Sequence, residues 1–138
     1  MPAVPGGAAG NAGHSALAAG DHWLPLLDPA VLEELEKDVG APEVARKFAT
    51  DYAGMWVRRQ HRIAASVQRE DQAAALDAVI SLKVASAMVG GSRLAHLAAA
   101  LEAVLRLGDL QAGAALVARI TIQGRATVAE LQQRYGQA

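Results

Sequence analysis

Along most of this chain the large apolar side chains recur every three or four residues, and nowhere do they alternate convincingly with a period of two. Val44, Phe48, Tyr52, Met55, Ile63 and Val67 make one such series; Leu94, Leu97, Leu101 and Val104 make another. A third holds Leu110, Ala114, Val117, Ile120, Gly124, Val128, Leu131 and Tyr135. Steps of three and four place side chains on one stripe of an α-helix, whereas a half-buried strand needs alternation. Composition points the same way. Hydrophobic residues are 52% of the 138 but aromatics only 4%, so the bulk comes from alanine, leucine and valine. That favours helices over a β-sandwich.

The residues between these series divide the chain. Asp28-Pro29 is a helix start, with aspartate as N-cap and proline at the first helical position; Val31, Leu32 and Leu35 follow as a stripe, and Gly40 is a stop. Pro42 opens a second helix running to about Gln68. Asp71 can cap a third, reaching about Val89, where Gly90-Gly91 breaks it. Ser92 can cap a fourth, and Gly108-Asp109 is a stop and start before a fifth. Four long amphipathic helices with short connections predict an all-α fold, an up-down antiparallel four-helix bundle, with the short first helix capping one end. Residues 1–20 carry no Asp, Glu, Lys or Arg, and twelve of the twenty are Ala or Gly. Residues 1–22 are therefore expected to be a flexible tail and 23–138 the folded domain.

Several function classes are excluded or disfavoured at this level. There is no cysteine for a disulfide, a thiolate metal site or a cysteine nucleophile. A net charge of −1 gives no general pull toward nucleic acid. No apolar run reaches the ~18–20 residues that span a bilayer, and the N-terminus lacks the basic start and unbroken apolar core of a secretory signal. A soluble, cytoplasmic protein without metal or cofactor is expected.

The third helix carries the most specific information. Ala75, Val79, Leu82, Ser86 and Val89 form a core seam, and Leu76, Ile80, Lys83, Val84 and Ala87 lie opposite. Residues 79–94 read V-I-S-L-K-V-A-S-A-M-V-G-G-S-R-L. This segment resembles the signature of histidine-phosphotransfer (HPt) domains, roughly A-H-x-L-K-G-x-S-A-x-x-G-A-x-x-L. Leu82, Lys83, Ser86, Ala87, Gly90 and Leu94 fall in register, and the helix layout resembles the family over roughly residues 24–135. The resemblance implies an HPt fold whose third-helix face binds a receiver domain. The histidine that carries the phosphoryl group in such domains maps onto Ile80, and the glycine that permits close approach maps onto Val84. Isoleucine has no nucleophilic atom, so the chain is identified as a degenerate member, a pseudo-HPt that is not an enzyme.

Leu76, Ile80 and Val84 lie one above the other at i, i+4 and i+8. An aliphatic stripe facing outward must be covered. Two covers are open: the chain itself, through the first helix, the Trp23 segment or the tail; or a partner, or a second copy. The candidate partner-binding residues are Leu76, Ile80, Lys83, Val84, Ala87 and Trp56, the last either an exposed interface anchor or a buried ring. Lys83 is either solvated or a charge partner for an acidic receiver surface. Ser86 is expected to bond its own helix carbonyl. Arg58, Arg59, Arg62 and Arg69 are expected on a solvated face. The expected function is non-catalytic signalling in a two-component phosphorelay, by binding a response-regulator receiver domain or a sensor kinase. The alternatives are an active phosphocarrier using His61 or His96, and a helical adaptor or homodimer unrelated to phosphorelays.

Overall fold

A computed structural model describes residues 24–136. The expected tail, residues 1–22, and Trp23 at the expected start of the domain lie outside the described residues. Five helices follow in order: α1 Pro29–Val39, α2 Pro42–Gln68, α3 Gln72–Met88, α4 Ser92–Arg106 and α5 Leu110–Tyr135. No strand occurs among the described residues, and none of the described helices is long and apolar enough to cross a membrane.

Local chemistry accounts for most boundaries. The Asp28, Asp71 and Asp109 carboxylates accept from the amides of Ala30, Ala74 and Ala112 at 3.0, 3.1 and 3.0 Å. Each satisfies a backbone donor that the first helical turn leaves without a partner. Gly40 ends α1 at φ 65°, its N–H returning to the Glu36 carbonyl. The expected cap at Ser92 is corrected: Gly91 is the N-cap, without a side-chain bond, and Ser92 is the first helical residue. Gly90 explains why. It sits at φ 83°, and a Cβ there would run into the Asp28 carbonyl. The α3–α4 corner is shaped by that close approach of α1, so backbone groups take over where a hydroxyl cap was expected.

α2 packs against α3 and α5, α4 packs against α3 and α5, and α1 packs against α2. Side-chain pairs between α2 and α3 run in opposite senses, Tyr52 meeting Ser86 and Arg62 meeting Asp77, and Gln60 of α2 meets Thr121 of α5. The core holds Leu82, Leu94, Leu97, Leu101, Leu105, Ile120 and Leu131, all fully buried. Two sequence expectations are corrected here. The buried series of α5 is Gly113, Leu116, Ile120, Gly124, Thr127 and Leu131, so Ala114 faces out. Met55, expected in the α2 seam, is 41% exposed. Gly113 is inside, facing Leu101 and Leu105 of α4, and a hydrophobicity pattern does not register a buried glycine.

Candidate functional site

The α3 seam lies where periodicity places it: Ala75, Val79, Leu82, Ser86 and Val89 are all buried. The opposite side divides into two stripes. Ala73, Asp77, Ser81, Val84 and Met88 are the exposed line, stepping by four, four, three and four. Leu76, Ile80, Lys83 and Ala87 form the flank turned toward α4, as the Lys83–Glu102 pair shows. Leu76 and Ile80 are partly buried against the core, whereas Val84 is 51% exposed and Ala87 is exposed. The upper part of the aliphatic stripe is thus covered within the chain, and the lower part is open. Apolar side chains occur on almost every side of α3, so periodicity alone does not orient it to within one residue.

Lys83 is partly exposed and paired within the chain. Its ammonium donates to Glu102 Oε1 at 2.6 Å, and Arg106 donates to Glu102 Oε2 at 2.8 Å. The Glu102 side chain is only 15% exposed between them. The hydrogen bonds from Lys83 first, then Arg106, hold its carboxyl below the usual carboxylate range. One carboxylate therefore already neutralises part of the positive charge beside Ile80.

Trp56 is corrected. It is 6% exposed, with its ring lying over Gly124, where a Cβ would overlap the ring atoms. A tryptophan packed on a glycine of the facing helix is core, and it presents no surface to a partner. Ser86 is corrected as well: its hydroxyl bonds Tyr52 at 2.7 Å across the α2–α3 interface, not its own helix carbonyl. Burial pushes the Tyr52 hydroxyl up to about 12, opposed in part by the bond to Ser86 and the charge of Arg59.

The arginines of α2 are not simply a solvated face. Arg59 donates to Ser81 Oγ at 2.6 Å, and Arg62 pairs with Asp77 at 3.1 Å. Arg69 lies 3.8 Å from Asp71, and Arg58 is exposed. His61 is exposed on α2, and His96 is half-buried on α4 between the buried Leu94 and Leu97. Among the described residues no group of three His, Cys, Asp or Glu could hold a metal ion.

Sequence reasoning missed a groove beside the exposed line of α3. Phe48, Asp51, Met55, Arg59, Ala85 and Met88 surround about 200 Å³ between α2 and α3, with Tyr52 and Val89 also in the lining. Met55 and Met88 stand 41% and 50% exposed on its two sides.

No protein-family model matches the chain, and no curated protein matches it in sequence. Among solved structures it is similar to histidine-containing phosphotransfer protein B (HptB) from Pseudomonas aeruginosa PAO1. The TM-score is 0.74 at 23% identity, over 80% of this chain and 95% of that one. At that identity the likeness is one of fold, and the chain has an HPt-like, all-helical fold.

Proposed function

We propose that this protein is a pseudo-HPt: a non-catalytic signalling component that binds a receiver domain or kinase of a two-component phosphorelay through the α3 face, without accepting phosphate. The carrying observation is Ile80 at the position where the signature has its histidine. The α3 environment supports the same reading. Val84 stands where the signature has glycine, and Lys83 is held by Glu102 at 2.6 Å rather than directed at an incoming phosphoryl group. We read α2 to α5 as the up-down antiparallel four-helix bundle of that family, with α1 as its end cap. The docking face on this reading comprises Ile80, Lys83, Val84 and Ala87, with Leu76 at its half-buried end.

The test is incubation with phosphorylated receiver domains from the same cell, scoring binding and phosphate transfer separately. The expected result is a saturable complex and no acid-labile phosphate on the protein. Phosphate on His61 or His96 would overturn the reading in favour of an active carrier. Ile80→His alone should accept little phosphate, because Val84 crowds the approach and Glu102 retains Lys83. Adding Val84→Gly and Glu102→Gln to it should raise acceptance.

A further inference from the structure

At the end of the bundle away from Gly90, one corner departs from the other three. Gly40, Gly90 and Gly108 turn the corners after α1, α3 and α4 with φ between 65° and 83°, and Glu70 does so after α2 at φ 59°. A residue with a Cβ is disfavoured in that left-handed region, and a carboxylate there also faces the negative end of the α2 dipole. Glu70 is the only charged residue lining a groove of about 380 Å³ between α2 and α5. Ala64, Val67, Leu110, Ala114 and Val117 are its apolar lining, and Gln68 and Gln111 complete it. At the neighbouring α4–α5 corner, Leu107 is 83% exposed, more than any other large apolar side chain among the described residues. Two links put that corner and the groove at the same end: Gln72 Nε2 donates to the Leu105 carbonyl at 2.6 Å, and Gly113 faces Leu101, Leu105 and Val67. Next to Leu107, Arg106 shares the Glu102 carboxylate with Lys83, so two cations meet one anion and a positive charge is left over.

An apolar groove with one carboxylate suits an apolar side chain that has a cation next to it, and Arg106-Leu107 is such a pair. We propose that two copies of this chain join end to end through a two-fold contact, in which Leu107 of each copy enters the groove of the other and Arg106 meets Glu70 across the interface. A patch that carries a projection and a matching groove side by side is self-complementary, as a two-fold interface requires. The groove exceeds the ~150 Å³ that takes up benzene, which leaves room for a leucine side chain and the backbone beside it. A contact confined to two corners is small, so the dimer is weak and forms with rising concentration. It leaves Val84 and Met88, toward the other end of α3, open on both copies, and it holds whether or not that face binds a receiver.

Sedimentation equilibrium from about 10 μM to about 1 mM tests the contact. The average mass of the parent protein should rise from one chain toward two across that range. Leu107→Ser removes the projection, and Ala114→Arg fills the groove from an exposed position; each should weaken association at least about tenfold. Mixed together, these two variants should associate with each other more tightly than either does with itself, because one intact projection then meets one intact groove. Glu70→Gly should weaken the dimer about two- to fivefold and raise the denaturant midpoint of the single chain, since glycine suits φ 59°. A parent protein that stays one chain at every concentration would overturn the proposal. So would variants that associate like the parent, or a mixture that associates no more tightly than its components. Association lost in Val84→Asp and unchanged in Leu107→Ser would place the contact on α3 and would equally defeat it.

Discussion

At Tyr52 and Gly124 a few atoms decide how α2 packs on its neighbours. Burial raises the Tyr52 hydroxyl to about 12, against about 10 in an unfolded chain. Between those values the folded protein holds a proton that the unfolded chain has released, so stability is fully present below pH ~10 and declines as pH rises toward 12. The expected loss is up to roughly 2–3 kcal/mol. Denaturant midpoints from pH 8 to 12 should fall more steeply for the parent protein than for Tyr52→Phe; equal slopes would contradict the assignment. Tyr135, also raised by burial, keeps its contribution in both proteins. Gly124→Ala introduces a methyl into the Trp56 ring and should cost ~2–3 kcal/mol, read as a lower urea midpoint. Neither contact was legible beforehand. Trp56 in a half-apolar helix is as compatible with an exposed anchor as with a buried ring, and only the glycine facing it across the interface decides.

At the scale of elements, α3 separates a covered stripe from an open one. Ile80 is partly buried against the core and Val84 is half exposed, although both belong to the aliphatic stripe legible in the sequence. Ile80→Asp should therefore destabilise by roughly 1–3 kcal/mol, because the carboxylate loses water without gaining a partner. Val84→Asp should change stability by about 0.5 kcal/mol or less. Thermal or denaturant melts of the two variants check the contrast, and Val84→Asp is the cleaner probe of binding because its fold is expected to survive. The buried seam of α3 could be read from spacing because five apolar or small residues repeat in step. The outward line could not, since α3 carries too few charges to mark its solvent side. The Lys83–Glu102–Arg106 cluster was equally hidden: residues on two helices become neighbours only when those helices pack.

Across the whole molecule, the N-terminal segment is tied to the far corner of the helices. Arg93 donates from Nε and Nη2 to the Leu24 carbonyl and from Nη1 to Gln123, and the Asp28 amide bonds the Gly90 carbonyl at 2.7 Å. Leu27 and Leu32 are buried beneath this attachment. Arg93→Ala should leave α2 to α5 protected from hydrogen exchange and speed exchange in α1, with a global cost of about 1–2 kcal/mol. Uniform exchange across all five helices would instead mean that α1 and the rest open as one unit. The sequence by itself determined the all-helical character, the five helices, their starts at Asp28, Asp71 and Asp109, and the isoleucine in the signature. These are local properties, carried by side-chain spacing, by caps within three residues of their targets and by the identity of one residue. Only the tertiary structure decided which side of α3 meets solvent, that Trp56 is core, that Lys83 is already paired and that Arg59 lines a groove between α2 and α3. Each of those depends on residues distant in the chain brought together by helix packing, where excluded volume and charge pairing act between elements and leave no trace in the periodicity of any one of them.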